Sequence, residues 1–144
     1  MIKIEFPPYQ PKIQTKEGKE TIFDVVRKKW VILTPEEWVR QNFIQYLIQT
    51  KNISATLISV EKEIKVGELK KRTDIVVYDQ QTIPRVIIEC KEMNVPLDEK
   101  VLQQALRYHI TIPVPYIIIT NGSYTYCFEK KGNEFIAIDF FPTI

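Results

Sequence analysis

The sequence predicts a mixed α/β fold of the α+β type, with a central mixed β-sheet flanked by helices in an αβββαβ core. Apolar residues recur at helical spacing in two segments, whereas the segments between and after them carry strand-length apolar runs. The unbroken runs at 86–88 and 116–119 are typical of central strands that are covered on both faces. All 144 residues are expected to form one domain, with residues 1–33 as an N-terminal β-rich extension and β-hairpins added at both ends.

Local signals define the first half of the expected elements. A hairpin is expected around Gly18, followed by a short apolar strand. Thr34 can cap a helix, Pro35 suits its first position, and Glu37 lies three residues after the cap. The full set of expected elements is strands 12–16, 20–24 and 30–33, helix 35–49, strands 56–66, 73–78 and 85–90, helix 97–110, and strands 116–120, 124–128 and 135–140.

The second half of the chain is expected to be β-rich around one helix. Strand 56–66 carries charged residues at its centre, which favour a bend, and Gly67 starts a turn to the next strand. Residues 79–83 form a loop before the third strand of the core. The apolar residues of the second helix fall on one stripe, and the last hairpin turns at residues 131–133.

Composition and charge exclude several classes of protein. Apolar residues make up 44% and charged residues 26% of the chain, which excludes a disordered or fibrous protein. The net charge of +2 is too weak to indicate a nucleic acid or an anionic membrane as partner by itself. Two cysteines and one histidine cannot build a Cys₄ or Cys₂His₂ zinc site. Four scattered glycines exclude a P-loop and a dinucleotide-binding glycine motif.

The hydropathy of the chain bears on its cellular compartment. The N-terminus has no apolar run of signal-peptide length, and no segment approaches the roughly 20 apolar residues that span a bilayer. We therefore expect a cytoplasmic protein with no membrane partner. In that compartment Cys90 and Cys127 are expected to stay reduced rather than to form a disulfide.

Six acid-x-Lys triplets occur in the sequence, and one of them has an unusual position. Five are expected to be solvated surface charge, because they lie in polar, turn-like or hairpin-edge segments. These five are Glu17/Lys19, Glu63/Lys65, Glu68/Lys70, Asp98/Lys100 and Glu129/Lys131. Glu89 and Lys91 instead end the most apolar strand, and the alternation of a strand points both to one face and Cys90 to the other. Charges beside a buried run must be paired or bind a cation, so a buried Glu–Lys ion pair is one explanation.

Asp74 supplies a second carboxylate near the start of the preceding strand. If strands 73–78 and 85–90 pair as antiparallel neighbours, Asp74 and Glu89 lie close together, because adjacent strands are about 4.8 Å apart. Two carboxylates at that spacing repel each other, which raises a pKa or recruits a cation. Oxygen ligands with open positions suit Mg²⁺ or Mn²⁺. By itself, Asp74 would be an ordinary strand-start aspartate.

The pattern Asp74…Glu89-Cys90-Lys91 resembles the D…(D/E)-x-K signature of the PD-(D/E)xK nuclease superfamily. The segments TPEEWVRQ, KRTDIVVYD, PRVIIECKE and QALRYHI, in that order, resemble the nuclease domain at the N-terminus of type I restriction enzyme motor (R) subunits. The resemblance extends over residues 24–128. It implies a restriction-endonuclease-like fold and metal-dependent hydrolysis of DNA phosphodiester bonds.

The resemblance also implies roles for single residues. Asp74 and Glu89 would bind Mg²⁺ or Mn²⁺, helped by the main-chain carbonyl of Cys90. Lys91 would orient or activate the attacking water and stabilise the charge that develops on the phosphate. One departure from the superfamily pattern is Thr73, which stands where the first half-motif has a proline.

Both helices would contribute further site residues. The acidic residue of the family's first helix would fall on Glu37 or, as second choice, on Glu36, although Glu37 is equally suited to a capping box. Gln104 and Tyr108 match a Q-x-x-x-Y element of helicase-associated members, and residues four apart share a helix face. The same pair is also typical of a plain polar face. His109 is expected to point elsewhere and to serve packing or the surface.

DNA is the partner that the resemblance implies. The basic residues placed to follow its phosphates are Lys70, Lys71, Arg72, Lys100 and Arg107. A basic run is also typical of a solvated turn. Because the sequence carries no nucleotide-driven motor, the protein is expected either to act alone or to depend on separate motor and specificity subunits. A double-strand cut requires two active sites, which favours a homodimer.

Two other functions stay open at the level of sequence. A non-catalytic nucleic-acid-binding or assembly module would retain the nuclease fold, but its signature would be the loss of an acid or lysine at position 74, 89 or 91. All three are present, which favours an enzyme. A nuclease acting on RNA or branched DNA would share the same metal site.

Overall fold

The computed structural model describes residues 1–144 and confirms the mixed α+β fold. A six-stranded sheet and a three-stranded sheet are combined with two α-helices. The elements are β1 (Ile13–Lys16), β2 (Lys19–Asp24), β3 (Lys29–Ile32), α1 (Pro35–Gln45), β4 (Ile58–Val66), β5 (Leu69–Tyr78), β6 (Pro84–Cys90), α2 (Glu99–His109), β7 (Tyr116–Thr120), β8 (Thr125–Lys131) and β9 (Glu134–Ile138). Neither helix has the length and apolar character needed to cross a membrane.

The larger sheet has the strand order β4-β5-β6-β7-β8-β9. Its neighbours are antiparallel except for β6 and β7, which are parallel because α2 forms the crossover between them. Helix α1 packs on one face of the sheet with Ile75 and Val77, whereas α2 packs on the other face with Val76 and Ile87. The central strands are therefore covered on both faces, as their unbroken apolar runs predict.

Helix α1 begins as the sequence predicts. Oγ1 of Thr34 accepts a hydrogen bond of 3.0 Å from the main-chain N–H of Glu37, and Pro35 occupies the first position. The helix continues past Gln45 into a π-helical turn over Tyr46–Thr50, so its full extent matches the expected residues 35–49. Its last part is wound more widely than the sequence indicates.

The β4–β5 hairpin is longer than expected. Strand β5 begins at Leu69 rather than at residue 73, because the basic run pairs with β4 through main-chain hydrogen bonds that do not depend on side-chain polarity. Strand β4 continues through Glu61, but Glu61 has a positive φ of 57° and does not pair with Asp74, so the strand has a local irregularity at the charged centre where the sequence favours a bend. The hairpin therefore extends beyond the end of β6, whose pairing with β5 stops at Ile75 and Ile88.

The three-stranded sheet forms the N-terminal extension and is tied to α1 by a buried carboxylate. Asp24, at the end of β2, accepts hydrogen bonds from the main-chain N–H groups of Val26 and Arg27 at 2.7 and 2.8 Å. Its second oxygen accepts from Nε of Arg27 at 2.6 Å and from Nε2 of Gln41 at 2.9 Å. Because Gln41 belongs to α1, Asp24 joins the extension to the helix that flanks the main sheet.

Both cysteines are buried and free. Cys90 belongs to the apolar cluster under α1, on the face of β6 opposite to Glu89, as strand alternation predicts. Burial raises the pKa of the Cys90 thiol well above its ordinary value and raises the pKa of Cys127 to about 12. Neither thiol is therefore a reactive nucleophile at neutral pH.

Candidate active site

A pocket opens where β5 and β6 separate, between the projecting β4–β5 hairpin and α2. Its charged lining residues are Glu36, Glu61, Asp74, Glu89, Glu92, Arg72 and Lys91, and we call it the acidic pocket. The predicted meeting of Asp74 and Glu89 is present here, because both carboxylates line the same pocket with Lys91. The main-chain pairing of the two strands ends just before this level, at Ile75 and Ile88.

Asp74 takes the place of a main-chain acceptor where the strand ladder ends. Its Oδ2 atom accepts a hydrogen bond of 2.7 Å from the N–H of Cys90, and Nη2 of Arg40 is 3.1 Å from Oδ1. The side chain is 19% exposed. Burial raises the pKa of Asp74 above its ordinary value, because it outweighs the opposing effects of the Cys90 N–H and the Arg40 charge.

Glu89 is held by two partners on the α2 side of the sheet. Its Oε1 atom is 3.0 Å from Nε2 of His109, and its Oε2 atom is 3.7 Å from Nζ of Lys91. Burial raises the pKa of Glu89, but the hydrogen bond from His109 and the charge of Lys91 together hold it below its ordinary value. The pKa values of Asp74 and Glu89 are therefore shifted in opposite directions.

The two acidic residues of the first helix, Glu36 and Glu37, have different surroundings in the structure. Glu37 is buried and turned away from the acidic pocket, with its carboxylate bound by Nη2 of Arg27 at 3.0 and 3.1 Å and by Nη1 of Arg40 at 2.7 Å. Its main-chain N–H is capped by Thr34, but its carboxylate does not return the bond that a capping box requires. Glu36 is the helix residue that lines the pocket. Burial raises its pKa, and the nearby charge of Asp74 adds to the rise.

Arg40 is a site residue that the sequence analysis missed. Its guanidinium group is buried, and Nη2 lies 3.1 Å from Glu36, 2.9 Å from Glu61 and 3.1 Å from Asp74. Together with the contact of Nη1 with Glu37, one cation thus binds four carboxylates from α1, β4 and β5. The sequence spacing could have indicated these ion pairs, because Arg40 follows Glu36 by four residues and Glu37 by three on one helix.

Glu61 was also missed, because it lies in a run of alternating charges that is typical of an exposed strand. In the structure it is half-buried, and its second oxygen accepts from Nε of Arg72 at 2.8 Å. Arg72 is 72% exposed at the rim of the acidic pocket. Glu61 therefore links an internal cation, Arg40, to a cation at the surface.

Gln104 and Tyr108 both line the acidic pocket from α2, as their four-residue spacing predicts. Tyr108 also has a structural contact, because its Oη atom accepts the main-chain N–H of Arg72 at 3.0 Å. This N–H belongs to the part of β5 that has no partner in β6. His109 does not point away from the site, as was expected, but lies buried against Glu89.

The predicted phosphate contacts do not form one surface. Arg72 lines the acidic pocket, and Lys71 lies over the ring of Tyr108 with its Nζ atom 4.3 Å from the ring centroid. Lys70 is exposed next to Glu63, and Lys100 is exposed in the first turn of α2. Arg107 lies apart from them, because it lines a different cavity with the β8–β9 hairpin.

The donor set of the acidic pocket fits a hard divalent cation in part. No three His, Cys, Asp or Glu side chains are grouped as a complete metal site. The available oxygens are the carboxylates of Asp74 and Glu89 and the carbonyl of Cys90, which faces the β5 side of the strand like the Cys90 N–H. Two carboxylates with open positions match the preference of Mg²⁺, which keeps several waters when it is bound.

Comparison with known proteins bears on this arrangement. Residues 35–142, or about three quarters of the chain, match a family model described as the type I restriction enzyme R protein N terminus. The match begins at the first residue of α1 and includes all of the charged residues that line the acidic pocket. No significant match is found among curated proteins.

Proposed function

This chain belongs to the family of the type I restriction enzyme R protein N terminus, and we propose that it is a metal-dependent nuclease that hydrolyses DNA phosphodiester bonds. The observation that carries the proposal is the convergence of Asp74, Glu89 and Lys91 on one pocket at the point where β5 and β6 separate. Their order along the chain also resembles the D…(D/E)-x-K part of the PD-(D/E)xK signature. The fold alone would be equally compatible with a binding module.

Asp74, Glu89 and the carbonyl of Cys90 would hold Mg²⁺ or Mn²⁺. When bound, such a cation lowers the pKa of water, polarises the phosphate and stabilises the leaving oxygen. The carboxylates of Asp74 and Glu89 are held in place by different partners. Asp74 is fixed by donors on both oxygens, from Cys90 and Arg40, whereas Glu89 is fixed by His109 and faces Lys91.

Lys91 is the residue placed to act on the reacting phosphate. Its side chain is 38% exposed and its ammonium group lies 3.7 Å from Glu89, so a substrate can approach it. A fixed positive charge stabilises the negative charge that develops on a phosphate during hydrolysis. The same group can orient the attacking water by hydrogen bonding. Gln104 also lines the pocket and can donate a hydrogen bond to the substrate, whereas the carboxylate of Glu36 would contact waters on the cation rather than the anionic phosphate.

DNA is the substrate that the family favours, and the exposed guanidinium of Arg72 lies at the rim where a phosphate backbone would pass. Contacts of this kind depend on salt and are largely independent of sequence. Double-strand cleavage by this site would require a second copy of the chain or repeated nicking. Motor and specificity subunits of a restriction system are the corresponding protein partners.

A plasmid assay tests the proposal. Supercoiled DNA incubated with the purified protein is expected to be nicked with Mg²⁺ or Mn²⁺ and to stay intact with EDTA. The isosteric variants Asp74→Asn and Glu89→Gln should abolish nicking while circular dichroism and Tm show a folded protein. Glu129→Gln is the matched control, since Glu129 and Lys131 have the same i, i+2 spacing and the same 3.7 Å separation outside the pocket.

The same experiment separates the competing functions. Linear and single-stranded DNA, branched DNA and RNA are offered in parallel, and exclusive cleavage of RNA or branched DNA would replace the proposed substrate. DNA binding without hydrolysis of any substrate would instead indicate a non-catalytic module. Nicking that is unchanged in both isosteric variants would remove Asp74 and Glu89 from the mechanism.

A further inference from the structure

His109 is the last residue of α2 and lies beneath the acidic pocket, with only 2% of its surface exposed. Its Nε2 atom is 3.0 Å from Oε1 of Glu89. Its other ring nitrogen, Nδ1, is buried without a hydrogen-bond partner. The imidazole therefore makes one side-chain hydrogen bond, and that bond is to a carboxylate of the pocket.

The direction of this hydrogen bond follows from the two groups. An ionised carboxylate only accepts hydrogen bonds, so Nε2 of His109 carries the hydrogen and donates it to Glu89. The unpartnered Nδ1 atom destabilises the fold, because a buried polar atom has lost its contact with water. An apolar side chain would fill the same space without that penalty. Packing alone therefore does not explain a histidine at this position.

The surrounding contacts keep the imidazole ring in place. The ring of Tyr108 packs edge-on against it with 4.8 Å between centroids, and Tyr108 is bonded to the main chain of Arg72 in β5. Just beyond the helix, Nζ of Lys130 in β8 donates to the carbonyl oxygens of Ile110 and Ile112 at 2.6 and 3.1 Å. These bonds fix the end of α2 to strands on both sides of Glu89.

Glu89 uses its two oxygens differently. Oε1 is bonded to His109, whereas Oε2 lies on the side of Lys91, which lines the acidic pocket. We propose that His109 is a positioning residue, which fixes the carboxylate of Glu89 so that Oε2 faces the pocket. The inference rests on the proposed function, because it assigns Glu89 to the cation.

His109 acts through Glu89 and not on the substrate. It is buried and is not among the residues that line the acidic pocket, and its other ring nitrogen, Nδ1, is buried as well. Without the donor at Nε2, Glu89 would be free to rotate and would bind a cation only after losing that freedom. Loss of a hydrogen-bond partner of a metal ligand typically weakens metal affinity by about 10–100-fold.

Two substitutions separate positioning from packing. His109→Gln retains an N–H donor at a reach similar to that of Nε2, whereas His109→Leu fills the space without a donor. Calorimetric titration with Mn²⁺, in the absence of nucleic acid, is expected to show a Kd about 10–100-fold higher for His109→Leu. His109→Gln should bind Mn²⁺ with a Kd close to that of the wild-type protein.

Lys130→Met is the matched control for a loosened helix. It removes the bonds that fix the end of α2 but touches neither His109 nor Glu89. We expect it to lower Tm and to leave the Kd for Mn²⁺ unchanged. The assignment is overturned if Lys130→Met weakens Mn²⁺ binding as much as His109→Leu does, or if His109→Leu binds Mn²⁺ as tightly as the wild type.

A metal-free comparison keeps this inference distinct from the proposed function. If the wild-type protein binds no Mn²⁺, the proposed cation site fails, and crystal structures of the two metal-free variants then decide the role of His109. The carboxylate of Glu89 should keep one orientation in His109→Gln and be displaced in His109→Leu. A carboxylate that stays in place in the leucine variant would show that His109 does not position it.

Discussion

At the scale of single residues, Lys91 combines proximity to Glu89 with access to solvent. We predict that Lys91→Met slows the chemical step by about 10²–10³-fold, the usual cost of removing one group that stabilises transition-state charge. The Kd for Mn²⁺ should change little, because Lys91 is not a metal ligand. Single-turnover cleavage rates and calorimetry measure the two quantities separately, and a loss that lies entirely in metal affinity would contradict this role.

Glu36 and Glu37 are adjacent, but their carboxylates meet different groups. Glu37→Gln leaves Arg27 and Arg40 with one anion fewer in a buried site, so the free energy of unfolding should fall by about 3–5 kcal/mol. Glu36→Gln should instead lower cleavage and leave stability almost unchanged, since its side chain is 48% exposed. Urea denaturation and plasmid nicking of both variants check this. The interpretation fails if the two variants behave alike.

Single residues also show what the sequence could predict. Asp74, Glu89 and Lys91 could be placed together, because strand alternation and the antiparallel pairing of neighbours follow from a short segment of chain. The contact of His109 with Glu89 could not, because it depends on the rotation of α2 over the sheet. The choice between Glu36 and Glu37 likewise depended on Arg27, which comes from the N-terminal extension.

At the scale of elements, Asp24 makes the stability of the β2–α1 junction depend on pH. Burial by itself raises the pKa of Asp24. The hydrogen bonds from Arg27 and Gln41 and the charge of Arg27 lower it by more than burial raises it, so the pKa lies below its ordinary value. The carboxylate therefore stabilises the fold above the unfolded pKa of about 3.9, and this stabilisation is lost as the pH falls through the folded value.

Asp24→Asn tests this junction. We expect it to lower the free energy of unfolding by about 3–5 kcal/mol at neutral pH, because Arg27 loses a buried partner. The difference from the wild type should shrink in acid, where the native carboxyl takes up its proton. Urea denaturation at several pH values measures the difference, and one that is constant across the acid range would contradict the linkage.

The extended β4–β5 hairpin shows why element boundaries were harder to predict than element types. Polar side chains between residues 69 and 72 gave no alternation that would indicate a strand. Their main-chain groups nevertheless pair with β4. The main-chain N–H of Arg72 lies beyond the end of β6 and donates instead to the hydroxyl of Tyr108. A hydrogen bond between elements that are distant in sequence, such as that of Arg72 with Tyr108, cannot be predicted from the local sequence.

At the scale of the whole molecule, we expect DNA binding to depend on where the basic residues lie more than on the net charge. Arg72 lies at the rim of the acidic pocket, whereas Arg107 lies on another side of α2. We predict that Arg72→Gln reduces the slope of log K for DNA binding against log salt by about 0.9, the value for one phosphate contact. Arg107→Gln should leave the slope unchanged. Fluorescence anisotropy over a salt series tests both, and equal effects would contradict a path through the pocket rim.

A series of ion pairs joins the N-terminal extension to the acidic pocket. Ionic contacts lead without a break from Asp24 through Arg27, Glu37 and Arg40 to Asp74, so the first strands help to balance the charge at the pocket. A fragment trimmed to the family boundary at residue 35 would lose the first two members of this series. Glu37 would then keep Arg40 as its one cationic partner, and we expect the trimmed fragment to have a lower Tm than the full chain, which thermal denaturation of the two measures.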